Sequence, residues 1–150
     1  MPFAFVVYGT PQPQGSARAF YVKKLGRAVI TSDNARMKPW RQQITGTALA
    51  SMNGQKKFTR DTPVRVDAVF YFERPKSARK RLGKTTKPDL DKLLRALLDS
   101  LTGVLFEDDS QVVQCNVSKE YHSPERVEVY VAGSKNLPIP LLEETEAAHV

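Results

Sequence analysis

Hydrophobic and polar positions divide the chain into segments of period two and segments of period three to four. Phe3 to Tyr8 is β-branched and aromatic and reads as an opening strand. Gly9 to Ser16, with prolines at 11 and 13, reads as an extended, turn-rich loop. Arg18 to Lys24 alternates as a strand, and Ala28 to Thr31 pairs with it across Gly26-Arg27. Ser32-Asp33-Asn34 supplies N-cap candidates for a helix over 35–52. On that helix Met37, Trp40, Ile44, Ala48 and Met52 form one apolar face, which makes Trp40 a core residue rather than a stacking platform. Gly54 is placed to end it.

Pro63 to Arg74 is the clearest strand, with Val64, Val66, Ala68, Phe70 and Phe72 alternating against more polar neighbours. After Pro88 the period changes. Leu90, Leu93, Leu94, Leu97, Leu98 and Leu101 make one apolar stripe, and Thr102-Gly103 ends the helix. Gln111 to Tyr121 and Glu125 to Val131 are two further strands joined by a turn at His122-Ser123-Pro124. The order β, hairpin, α, β, basic loop, α, β, β predicts an α/β (α+β) fold, a small mixed sheet packed against two main helices. One domain over 1–132 is expected, followed by an acidic, loosely packed tail over 133–150.

Composition narrows the class. Hydrophobic content of 41% is ordinary for a soluble globular protein. No apolar run approaches the roughly 18 residues that span a bilayer, so no membrane association is expected and a cytoplasmic, bacterial-type location fits. A single cysteine, Cys115, excludes an internal disulfide. Its alternation with Val113 and Val117 makes it a small core residue. His122 and His149 lack metal-ligand spacing with each other or with Cys115. No Walker A, dinucleotide or Gly-x-Ser-x-Gly motif is present, so no organic cofactor is expected.

Charge changes the picture most. The net charge is +7, but residues 1–88 hold eighteen basic and four acidic residues, whereas 89–150 hold five and twelve. Residues 74–87 contain seven basic residues and no acidic one, a density that predicts a mobile arm ordered by a polyanion. Candidate DNA contacts are Arg18, Lys23 and Lys24 on the hairpin, Lys76, Arg79, Lys80, Arg81, Lys84 and Lys87 on the arm, and Lys92 beyond it. The arm abuts Asp89 and Asp91, and a second acidic pair, Asp108-Asp109, follows the leucine helix. Asp89 occupies the N-cap position, where a carboxylate meets free backbone N–H groups. Asp91, Arg95 and Asp99 form a polar ridge beside the stripe. Because Val112, Val113 and Val117 call for burial, the chain must turn back to the sheet after Asp109, which would bring the second carboxylate cluster close to the first. Hard oxygen ligands of this kind suit Mg²⁺, with Mn²⁺ able to substitute, and such ions hydrolyse phosphodiesters. Separately, Asp89 also reads as a simple cap and Asp108-Asp109 as a simple turn.

The run Pro88-Asp89-Leu90-Asp91-Lys92-Leu93-Leu94-Arg95, with Glu107-Asp108-Asp109-Ser110-Gln111-Val112 about eighteen residues after the Asp-Leu-Asp, resembles the RusA family of Holliday junction resolvases. The close match covers residues 87–113, and the opening strand and loop and the closing strands agree more loosely. The resemblance implies a homodimeric, Mg²⁺-dependent endonuclease that nicks four-way DNA junctions symmetrically. It maps the catalytic and metal-binding aspartates onto Asp89, Asp91 and Asp109, with Asp108 as a fourth metal candidate. A functional lysine of the family falls on Arg95 here, which keeps the charge and changes its geometry; Lys92 is a spare cation. The readings left beside this one are a branched-DNA-binding protein without catalysis, a nuclease preferring flaps or single strands, and a structural protein assembling on nucleic acid.

Overall fold

The computed structural model describes residues 1–15, 17–22, 26–32 and 35–134. Ser16, Lys23, Lys24, Asp33, Asn34 and the acidic tail from 135, including His149, lie outside the described residues, as does the side chain of Arg18. The elements are β1 (Phe3–Tyr8), β2 (Ala17–Val22), β3 (Arg27–Ser32), α1 (Met37–Met52), β4 (Val64–Phe72), α2 (Leu90–Leu101), β5 (Val112–Tyr121) and β6 (Arg126–Gly133). β2 and β3 pair as a separate antiparallel hairpin. The other four strands form one mixed sheet in the order β1-β6-β4-β5, in which β4 and β5 are parallel and the other pairs antiparallel. The fold is therefore the expected mixed sheet with two main helices.

Pattern explains the layers. On β4 the buried set is Val64, Val66, Ala68, Phe70 and Phe72, and every residue between them is half-buried. Phe3, Phe5 and Val7 of β1, Trp40, Ile44 and Ala48 of α1, and Leu93, Leu97 and Leu101 of α2 join that set in one cluster. Both helices thus cover one face of the sheet. The stripe of α2 is centred on Leu93, Leu97 and Leu101, which are fully buried, while Leu90, Leu94 and Leu98 flank it half-buried. Antiparallel neighbours need only a turn, but parallel β4 and β5 need a crossover, and α2 supplies it. This sets α2's first turn beyond the end of β4 and its last turns toward the starts of β4 and β5.

Three local expectations are corrected. Helix α1 starts at Met37 and not at 35; Arg36 occupies the N-cap position and provides no side-chain cap. At its other end Asn53 adopts the left-handed conformation ahead of Gly54 (φ +49° and +83°). Val113 is 59% exposed, because a register shift between Val64 and Arg65 leaves it unmatched and turned out of the core face that Cys115 and Val117 share. The basic segment is not a free arm. A 3₁₀ turn at Lys76–Ala78 buries Ala78, and the Arg74 guanidinium donates to the carbonyls of Ala78 and Arg81 at 2.8 and 2.7 Å. Arg74 also lies 4.4 Å from the centroid of the Tyr121 ring, and Lys84 Nζ lies 4.9 Å from that of Phe72. These cation–π contacts and carbonyl bonds offset the like-charge repulsion that the composition emphasises.

Candidate active site

The first turn of α2 carries the Asp-Leu-Asp motif. Asp89 holds the N-cap position in an extended conformation (φ −72°, ψ 139°), and its carbonyl accepts the first helical bond from Leu93 N–H at 3.1 Å. Its carboxylate makes no capping hydrogen bond. Asp89 is therefore a cap through its backbone alone, and its side chain, like that of Asp91 two residues on, is exposed. Beside Asp89 opens a cleft of about 520 Å³ bounded by Thr10 to Gly15, Arg36, Phe72, Lys87, Pro88 and Lys92.

The Pro/Gly-rich loop forms one wall of that cleft and is tied down at several points. Gly9 N–H donates to the Glu125 carbonyl at 3.0 Å, Thr10 Oγ1 to Glu125 Oε1 at 2.6 Å, and Gln14 N–H to the Lys92 carbonyl at 2.9 Å. The second oxygen of Glu125 accepts from Glu73 N–H at 3.0 Å, so one carboxylate joins the loop to the end of β4. Gly9 is required here. Its φ is +139°, and a Cβ at that position would lie 3.3 Å from Trp40 Cζ3.

The acidic doublet sits on a short 3₁₀ turn, Asp109–Gln111, just ahead of β5. Asp108 Oδ1 accepts from Ser110 N–H at 3.4 Å, and the Arg60 guanidinium lies 3.8 Å from Oδ2. Gln111, 7% exposed, fixes the turn with all of its polar capacity. Its Oε1 accepts from Glu107 N–H and Asp108 N–H at 2.8 and 3.0 Å, and its Nε2 donates to the Thr59 and Thr62 carbonyls at 2.7 and 3.1 Å. The two carboxyls titrate apart. The Ser110 backbone bond and a hydrogen bond from Asp109 hold Asp108 below the usual carboxylate range. The bond to Asp108, desolvation and the negative charges of Asp108 and Asp99 push Asp109 up, with Arg95 opposing.

Within one chain the structure brings Asp109 to Asp99 and Arg95, not to Asp89 and Asp91. Eight residues of helix separate Asp91 from Asp99, a rise of about 12 Å. The expectation that the second cluster returns beside the first is thus corrected: the chain does turn back to the sheet, but at the starts of β4 and β5, whereas Asp89 lies beyond the end of β4 beside Phe72. Among the described residues no three His, Cys, Asp or Glu side chains are grouped to hold a metal ion. The donor chemistry nevertheless suits a hard divalent cation, because Asp89 offers an exposed carboxylate that caps nothing and Asp109 one pushed up by its bond to Asp108, burial and like charge. Asp108 is committed to its turn and to Arg60.

The candidate DNA contacts divide by place. Lys87 and Lys92 line the cleft at Asp89. Arg74, Pro75, Lys76 and Arg79 surround a separate hollow of about 470 Å³, and Lys80 and Arg81 are exposed beside it. Tyr121 is nearby; burial raises its pKa, but Arg81 and Lys84 outweigh that and leave it lowered. Three residues that the sequence reading passed over hold these pieces in place. They are Gln111, Glu125 and Lys119, whose Nζ donates to the carbonyls of Thr86 and Pro88 at 2.7 and 2.9 Å. The only prior signal was for Gln111, as a fixed member of the Asp-Asp-x-Gln-Val motif.

Residues 10–132 match the family model described as "Endodeoxyribonuclease RusA". The chain is 34% identical over 138 residues to "Uncharacterized protein YqaN" of Bacillus subtilis (strain 168), covering 85% of this chain and 93% of that protein. It is 29% identical over 75 residues to "Crossover junction endodeoxyribonuclease rusA" of Lactococcus phage r1t, covering 49% of this chain and 57% of the phage protein. No helix among the described residues is long and apolar enough to cross a membrane.

Proposed function

Because the chain belongs to the RusA family of endodeoxyribonucleases, we propose that it is a cytoplasmic homodimer that resolves four-way DNA junctions by paired nicks during recombination and repair. Asp89, Asp91 and Asp109 hold a divalent cation, Mg²⁺ or Mn²⁺. The observation that carries the reading is the state of the acidic residues: an N-cap aspartate whose carboxylate caps nothing, and a second carboxylate pushed up by its bond to Asp108, by burial and by the charges of Asp108 and Asp99. Structural aspartates are ordinarily satisfied by caps or cations, as Asp108 is here.

The separation of the clusters along α2 supports the dimer. A symmetric partner that sets Asp109 of one copy beside Asp89 and Asp91 of the other satisfies both ends of the helix at once and yields two equivalent sites. Bound there, the cation supplies a water nucleophile at neutral pH and charge neutralisation at the scissile phosphate. The protein's own groups do the rest. The Arg95 guanidinium, whose charge is felt at Asp109, faces the phosphate as negative charge develops on its oxygens. Lys87 and Lys92 draw the strand into the cleft. Arg79, Lys80 and Arg81 grip the backbone of the junction arm without reading its sequence.

The test is cleavage of a synthetic four-way junction in Mg²⁺ by the wild type, Asp91→Asn and Asp109→Asn, beside flap and single-strand substrates. Junction cleavage by the wild type alone is expected, with both variants still binding. A wild type that binds the junction and leaves it intact refutes the enzymatic reading, and preference for flaps refutes the substrate. Mixing the two variants tests the shared site. One intact site per mixed dimer restores single nicks, whereas sites contained in one chain leave the mixture inactive.

A further inference from the structure

The helix start that carries Asp89 and Asp91 is preceded by a segment with no regular structure, yet it is held from across the fold. Lys119 lies on β5 opposite Phe70 of β4, at a position whose neighbours Val117 and Tyr121 pack on the core. Its ammonium reaches the carbonyls of Thr86 and Pro88, at 2.7 and 2.9 Å. Lys84 Nζ donates to the hydroxyl of the same Thr86 at 3.1 Å. A half-buried lysine whose ammonium is spent on two carbonyls, with no carboxylate within salt-bridge distance among the described residues, is an expensive way to hold a surface loop. The place it holds explains the arrangement: the Pro88 carbonyl belongs to the peptide that enters Asp89.

We propose that Lys119 is a positioning residue for the acidic start of α2. By fixing the Thr86 and Pro88 carbonyls it sets the direction in which the Asp89 and Asp91 carboxylates project. It also places a positive charge behind them without forming an ion pair that would draw them from a cation. Gln14 N–H bonding to the Lys92 carbonyl holds the next turn from the opposite side, so the motif is gripped between β5 and the Pro/Gly-rich loop. The inference rests on the proposed role of Asp89 and Asp91 as metal ligands.

The experiment compares Lys119→Met, which keeps the stem and loses both bonds, with Lys119→Arg, which keeps the charge and a donor. Mn²⁺ binding to the protein is followed by the electron paramagnetic resonance of the free ion. Junction affinity in EDTA and the Mg²⁺ concentration for half-maximal cleavage are measured alongside. Lys119→Met is expected to weaken Mn²⁺ binding about tenfold and raise the Mg²⁺ requirement similarly, as loss of a residue that orients metal ligands does. Junction affinity in EDTA stays within about twofold, and Lys119→Arg recovers part of the loss. A folded Lys119→Met that binds Mn²⁺ as the wild type does overturns the inference. So does failure of both variants to fold, since the lysine then holds the domain and not the site. Asp91→Asn separates this from the function itself: if it too binds Mn²⁺ and cleaves normally, the site reading fails, whereas if it loses both while Lys119→Met does not, only the role of Lys119 fails.

Discussion

Replacing Gln111 with alanine deletes four hydrogen bonds at one stroke, and their loss should be felt both in stability and at Asp109. Two backbone donors, Glu107 N–H and Asp108 N–H, lose their acceptor, and two backbone acceptors, the carbonyls of Thr59 and Thr62, lose their donor. At about 1 kcal/mol net for each bond the sum is about 4 kcal/mol. The groups are only partly buried, so entering water recovers some of this, and the expected loss is about 2–4 kcal/mol. For a domain of this size that lowers Tm by roughly 5–15 °C. Thermal and urea unfolding followed by circular dichroism measure it directly. Gln111→Glu sharpens the test, because it keeps an acceptor for the two amides while setting a carboxylate oxygen against the two carbonyls. It should therefore be as destabilised as the alanine variant or more, although it is closer to glutamine in shape. A loss below about 1 kcal/mol for Gln111→Ala would refute the view that this side chain, and not the hydrophobic contacts around it, holds the acidic turn.

Two further predictions concern the same region and its opposite edge. Asp109→Asn should abolish metal-dependent cleavage yet leave the protein slightly more stable at neutral pH and low salt, by on the order of a few tenths of a kcal/mol after solvent screening. The sign follows from its raised pKa: the proton on Asp109 favours the folded state, a contribution fully present below the unfolded-state value and lost as pH rises through the folded-state value. The gain from asparagine should therefore disappear in acid, and an asparagine variant less stable at pH 7 than the wild type would contradict the account of its raised pKa. Gly9→Ala should cost about 1–3 kcal/mol in unfolding experiments, since alanine must adopt φ +139° with its Cβ 3.3 Å from Trp40. Junction cleavage should fall further than stability explains if the loop wall of the cleft moves with it.

Periodicity located both helices and the strands of the four-stranded sheet because each buries one face against the same core; the alternation of Val64 to Phe72 and the leucine spacing from 90 to 101 left no other assignment. What periodicity could not supply was placement between elements. The turn back to the sheet after Asp109 was legible from the valines that follow. Its edge was not, because that depends on β5 running parallel to β4, and a strand's hydrophobic pattern is the same in either direction. Likewise the charge density of residues 74–87 signals repulsion, while the aromatic faces that quiet it, Phe72 and Tyr121, lie at the ends of two different strands. Lys119 reads as one polar residue in an alternating strand, and only the fold shows its ammonium at the entry to α2.

The parallel crossover has a chemical consequence. A helix that returns the chain to a parallel strand must carry it the length of the sheet, so motifs flanking that helix are held apart by its own rise, here about 12 Å between Asp91 and Asp99 alone. The leucine stripe, buried along its centre at Leu93, Leu97 and Leu101, fixes that helix on the sheet. On the proposed ligand set, one chain therefore presents two half-sites held apart by α2 rather than one complete site. If all three aspartates share a cation, the rigidity of α2 makes a second copy a condition of catalysis, and dilution below the dimer dissociation constant should remove cleavage while each folded chain persists.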